Sequence, residues 1–111
     1  MEWYRIRNYF LRAMGYKTYA KYLKSSLWAD IRRQVLDRDG GKCQICASTE
    51  KVQAHHRNYE GPTLEGKTIS GIISLCRKCH TEIEFHPKGK KKGFFDVERC
   101  LAEKLSAVVV G

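Results

Sequence analysis

The chain has 111 residues and a mass of 12.9 kDa, and its 21 Lys and Arg outnumber its 12 Asp and Glu, giving a formal net charge of +9 and a pI near 9.5. That length fits a single domain, and its core is small enough that a metal staple is expected to supplement apolar burial. The charge points to a polyanion, with nucleic acid first and a merely basic soluble protein as the plainer alternative.

No apolar run approaches membrane-spanning length, and the VVV at 108–110 is far too short. At the N-terminus, MEWYRIRNYFLRAMG interrupts its apolar residues with arginine, unlike a signal peptide. The cysteine count is odd and the spacing is metal-like, so a disulfide framework is not expected. A reducing, cytoplasmic setting follows, with Cys100 left over as a free thiol.

In chain order, Trp3, Tyr4, Ile6, Tyr9, Phe10 and Leu11 alternate with Arg5, Arg7 and Arg12 in a loosely amphipathic helix over 3–13, ending near Gly15. Its aromatic and basic residues could stack on bases, but core packing is the better reading. Tyr16, Tyr19, Tyr22 and Leu23 recur at helical spacing. Ser25 or Ser26 can cap a further helix whose stripe is Leu27, Trp28, Ile31, Val35 and Leu36. Arg32, Arg33 and Arg38 lie off that stripe, as phosphate contacts or simply as a solvated face. Gly40 and Gly41 stop the helix.

Two C-x-x-C pairs follow, Cys43/Cys46 and Cys76/Cys79. Four thiolates in two short-spaced pairs suit a closed tetrahedral Zn²⁺ site with no position for substrate. The histidines between and after them, His55, His56 and His80, are therefore spare. KVQAHH at 51–56 reads as a strand and ISGIISL at 69–75 as its antiparallel partner. The loop from about 57 to 68 reads as an exposed Ω-like excursion. A helix is permitted from Arg77 to about His86, before Pro87. KGKKKG at 88–93 reads as a basic linker, a solvated turn or a non-specific phosphate grip. FFDVERCLAEKLSA at 94–107 reads as a closing amphipathic helix with Phe94, Val97, Leu101 and Leu105 inward. Neighbours on a regular strand face opposite ways, so His55 and His56 can share a site only if the strand ends or bulges there.

Strand, double histidine, loop, strand, C-x-x-C-H and helix is a layout that resembles the HNH endonucleases. The resemblance spans about Ser26 to His86 and is carried by WADIRRQVLDRDGGKCQIC, AHHRNY and SLCRKCH. It implies an α+β fold: a ββα-metal core at 43–86 with its Cys₄ zinc knuckle, a helical extension at 1–42, and a basic linker and C-terminal helix at 87–111. It further implies metal-dependent hydrolysis of DNA phosphodiester bonds. His56 would be the general base, and His55 and His80 would hold a catalytic divalent ion. Mg²⁺ is expected there, with Mn²⁺, Ni²⁺, Co²⁺ or Zn²⁺ as alternatives.

The chain departs from the family pattern twice. Where a middle asparagine is usual it has Ser70-Gly71, which supplies no amide and puts loop rigidity or full activity in doubt. Four residues beyond His80 it has Glu84, either a third, hard oxygen ligand or a surface carboxylate. Arg57, Lys67, Arg77, Lys78, Lys90, Lys91 and Lys92 are the candidate phosphate contacts. A catalytically weak or inactive nucleic-acid-binding module on the same scaffold is the alternative function, and the oligomeric state, monomer or homodimer, is left open.

Overall fold

Apolar residues three to four apart form helices at both ends of the chain, and the β-branched stretches between them pair as strands. The computed structural model of the protein describes residues 3–108. Its elements are α1 (Trp3–Ala13), α2 (Tyr19–Leu23), α3 (Ser26–Arg38), β1 (Val52–His56), α4 (Gly61–Glu65), β2 (Ile72–Cys76), α5 (Arg77–Glu84) and α6 (Phe94–Val108). The architecture is α+β: a two-stranded antiparallel sheet with helices on both faces. No helix among the described residues is long and apolar enough to cross a membrane.

Two caps fix the entry to the N-terminal helices. Thr18 Oγ1 accepts from Lys21 N at 3.1 Å, and Ser25 Oγ accepts from Trp28 N at 3.1 Å. Of the two serines that could cap α3, Ser25 does so. Trp28, Ile31 and Val35 then turn one buried stripe toward the sheet.

Strand alternation sorts the core into two parts. Ile72 of β2 packs with Leu11, Tyr22, Trp28, Ile31, Val35, Tyr59 and Leu64 on the α3 side. Ile73 and Leu75 pack with Ile83, Val97, Leu101 and three of the cysteines on the α5–α6 side. The pairing is regular, from Val52 opposite Cys76 to His56 opposite Ile72.

Two expectations need correction and a third is narrowed. The 57–68 segment is not an exposed excursion: Thr63 and Leu64 of α4 are buried, and the buried Tyr22 hydroxyl donates to Leu64 O at 2.8 Å. Gly66, at φ 78, closes α4 where a Cβ would lie 2.7 Å from Ile31 Cγ1. The second strand begins at Ile72 rather than Ile69, because the chain turns between them, Ile72 N donating to Ile69 O at 3.1 Å. Residues 88–93 are a solvated turn, one of the readings the sequence allowed, and not an extended linker: Phe85 and Lys91 form a bridge, and Lys92 N donates to Glu84 O at 2.7 Å. This return ends α5 at Glu84.

The end of α3 is tied to β2 by polar contacts. Ser74 N donates to Asp39 Oδ2 at 2.9 Å, and Arg38 donates to Ile69 O at 2.7 Å and to Ile72 O at 2.6 Å. Burial pushes the Asp39 carboxyl up, but hydrogen bonds from Arg38 and Ser74 outweigh it and hold the group below its ordinary value. Asp39→Ala should leave a strand N–H unpaired and cost about 1–3 kcal/mol. A urea midpoint unchanged from wild type would refute this.

Candidate metal centre and adjoining cleft

The cysteines come together because a tight turn and a strand–helix junction meet. Ala47, at φ 65, turns the chain so that Cys43 and Cys46 face the same point, with Ala47 N donating to Cys43 O at 2.9 Å. Cys76 ends β2 and caps α5, its sulfur accepting from Cys79 N at 3.4 Å. All four sulfurs lie within 4.8 Å of one another, and Cys46 and Cys76 are 3.6 Å apart. Four sulfurs around one Zn²⁺ would sit about 3.8 Å apart, so the set could bind zinc. Burial and neighbouring sulfurs push the Cys79 thiol up. Burial also works against ionisation of Cys43, but N–H donors at Cys46, Cys76 and Ile45 bring it down to about 7. A central cation would resolve this crowding of acidic sulfur.

The second cluster is built on facing elements. His55 of β1 points toward α5, where His80 and Glu84 are one helical turn apart. His55 Nδ1 lies 3.1 Å from His80 Nε2, which lies 3.1 Å from Glu84 Oε1; His55 Nδ1 and Glu84 Oε1 are 4.0 Å apart. On its other side, His80 Nδ1 is 2.7 Å from Gln53 Oε1. An imidazole N–H donating to Gln53 orients the ring and leaves Nε2 as a lone pair facing His55 Nδ1 and Glu84 Oε1, three atoms close enough to hold a metal ion. Burial, then His80, pushes His55 down to about 4, and hydrogen bonding to His80 lowers Glu84. Neutral imidazole and ionised carboxylate are the ligand forms a divalent ion takes.

His56 faces the other way. Its ring stacks on Trp28 at 4.6 Å between centroids and is 3% exposed. Nδ1 lies 3.0 Å from the Tyr19 hydroxyl, and Nε2 is buried without a hydrogen-bond partner. The strand ends at the doublet and does not bulge. Both histidines nevertheless line one cleft of ≈ 400 Å³, with Gln53, Ala54, His80, Glu84, Tyr4, Arg7, Tyr19, Trp28, Arg32 and Lys91 also on its walls. The cleft runs along the unpaired edge of β1, which both sheet faces can reach.

The candidate phosphate contacts are spread out. Lys91 lines the cleft, 5.7 Å from the Tyr4 ring centroid. Arg57 is held by Glu98 of α6 through two bonds at 2.9 and 2.8 Å, and Lys67 pairs with Glu65 at 2.9 Å. Arg77 and Lys78 surround a separate hollow with Lys51, Thr81 and Glu82. Lys92 lines another with His86, Asp96 and Arg99, and Lys90 is exposed. Sequence reasoning missed Gln53 and Tyr19, which orient the two histidines, and left Arg7 to packing. Only the period-two pattern, which puts Gln53 on the face of His55, could have flagged one of them.

Gly71 has a local explanation. A side chain there would overlap the Asn58 amide and stand 3.0 Å from Thr63 Oγ1. Asn58 Oδ1 accepts from Glu60 N at 3.1 Å, and Arg57 N donates to Gly71 O at 2.7 Å. The loop after His56 thus has an amide packed against it, supplied by position 58.

No protein-family model matches the chain, and no curated protein or solved structure matches it either.

Structural Zn²⁺ sites contribute roughly 10–16 kcal/mol, comparable to the whole stability of a small domain. Cys76→Ser should therefore lose both its zinc, read by elemental analysis, and its cooperative melt. A folded, zinc-free Cys76→Ser protein would contradict this.

Burial of neutral His56, then the nearby His55 and Arg7, lowers its proton affinity from 6.5 to about 3. The unfolded chain protonates first, so this stability is complete above pH 6.5 and drains away as pH falls toward 3. At pH 5 the loss should be about 2 kcal/mol. His56→Phe, which keeps the stack on Trp28, should lose about that much less between pH 7 and 5 in denaturant melts; parallel losses in both proteins would exclude His56 as the source.

Proposed function

We propose that the protein is a metal-dependent DNA endonuclease of the HNH type, with β1, β2 and α5 as its ββα-metal core. The observation that carries this reading is the convergence of His55 Nδ1, His80 Nε2 and Glu84 Oε1 within one cleft whose walls also include His56, its Nε2 buried without a partner. Zinc on the four sulfurs would be structural. His55, His80 and Glu84 would hold the catalytic ion, which when bound polarises the scissile phosphate and steadies the leaving 3′ oxygen.

The remaining chemistry belongs to the side chains. Water attacks phosphorus, forming the new P–O bond, and its proton passes to His56 Nε2. The P–O3′ bond breaks with its electron pair on oxygen, giving a 5′-phosphate and, after protonation, a 3′-hydroxyl. His56 must present a lone pair at Nε2, so its proton resides on Nδ1 and the Tyr19 hydroxyl accepts it. Low proton affinity makes His56 a weak base that stays deprotonated throughout neutral and mildly acidic pH.

A second reading, a nucleic-acid-binding module that does not cut, draws on the deep burial of His56. Supercoiled plasmid separates the two. Wild type should nick it with an added divalent ion (Mg²⁺, Mn²⁺, Ni²⁺, Co²⁺ or Zn²⁺) and stop with EDTA. His56→Ala, folded and zinc-loaded, should nick at least about 10²-fold more slowly. DNA binding without nicking in any of these ions would favour the module; equal nicking by both proteins would remove His56 from the base role.

A further inference from the structure

We propose that Arg7 of α1 is a phosphate-gripping catalytic residue of this cleft, bearing on the non-bridging oxygens of the phosphodiester under attack. The proposal rests on the phosphodiesterase reading above. It makes the N-terminal helix a working part of the active site.

The Arg7 guanidinium is caged by aromatic rings. Its central carbon lies 4.1 Å from the Tyr19 ring centroid, 5.0 Å from Tyr4 and 5.4 Å from Tyr59. Ring faces attract a cation without neutralising it. Arg33, Arg38, Arg57 and Arg99 each hold a carboxylate. Arg7 makes none of the ion pairs among the described residues; Nε donates to the amide oxygen of Asn8 at 3.2 Å, and the side chain also hydrogen-bonds the neutral Tyr59 hydroxyl.

The second observation is independent. His56 lines the same cleft, and its buried Nε2 has no hydrogen-bond partner. A charged fork lacking an anion therefore shares a recess with the ring of an imidazole whose second nitrogen has no partner. A phosphodiester with its attacking water answers both. The planar guanidinium can hold two non-bridging oxygens at once while the water lies against His56. Arg7 makes and breaks no covalent bond; it offsets charge that grows on phosphorus-bound oxygen as the P–O3′ bond breaks.

The test compares wild type with Arg7→Met, which keeps the aliphatic stem, and Arg7→Lys. Each is checked for zinc content and melting temperature. Plasmid cleavage is measured with Mn²⁺, and binding of a labelled 16-bp duplex of arbitrary sequence is measured in EDTA across a salt series. Arg7→Met is expected to cut about 10²-fold more slowly. Its log-affinity against log-salt slope should fall by about one phosphate contact, with Arg7→Lys intermediate in rate. Wild-type rate and slope in Arg7→Met would overturn the proposal and leave the nuclease reading standing. A wild type that neither cuts nor binds DNA would sink the reading, and the proposal with it. Should Arg7→Met melt early, Arg7→Lys decides: it keeps a cation on the rings but loses the two-pronged donor, so an unchanged rate overturns the role.

Discussion

Four sulfurs drawn from two distant turns are the constraint on which the rest of the molecule depends. Cys43 and Cys46 lie before β1, and Cys76 and Cys79 at the junction of β2 with α5. Bringing them within 4.8 Å fixes where α5 leaves the sheet. Cys79 faces the sulfur cluster, so His80, a further 100° around the helix, faces β1 instead. Glu84 lies one turn on, along the same face. The sulfur cluster thereby sets the aim of the His80 and Glu84 side chains.

The sheet then divides the histidine doublet. Alternation sends His55 with Gln53 toward α5, into polar company, and sends His56 with Ala54 toward α3, against Trp28 and the tyrosines. Burial dominates the electrostatics of both rings and keeps both neutral. They still serve one cleft because β1 is an edge strand, and its open side belongs to neither face alone. An additional strand on that edge would close the cleft, so the cleft depends on the smallness of the sheet.

Much of this was legible in the chain, and the reasons differ element by element. Periodic apolar residues marked α1, α3 and α6, and two short strand-like stretches, KVQAHH and ISGIISL, marked the sheet. C-x-x-C spacing marked the sulfur cluster, because two such pairs supply the four sulfurs of a tetrahedral Zn²⁺ site. The i, i+4 offset of His80 and Glu84 made a shared face readable. What escaped was long-range or contrary to local signal. α4 begins Gly-Pro-Thr, which reads as a turn, and is held by Tyr22, 42 residues away from Leu64. The Arg57–Glu98 pair spans 41 residues, so neither charge betrays that it is spoken for. The lysine run between Phe85 and Lys91 folds back through backbone bonds, which composition does not encode. Gly71 read as a lost amide, and only the packing of Asn58 against it gives the glycine a physical cause.

The central claim is that sulfur and imidazole hold separate ions for separate tasks. Anomalous diffraction from zinc-grown crystals soaked in Mn²⁺ tests it most directly. The account predicts a zinc peak at the centre of Cys43, Cys46, Cys76 and Cys79. It also predicts a manganese peak about 2.1–2.3 Å from His55 Nδ1, His80 Nε2 and a Glu84 oxygen. Manganese absent from that point, with the three side chains simply hydrogen-bonded to one another, would contradict it.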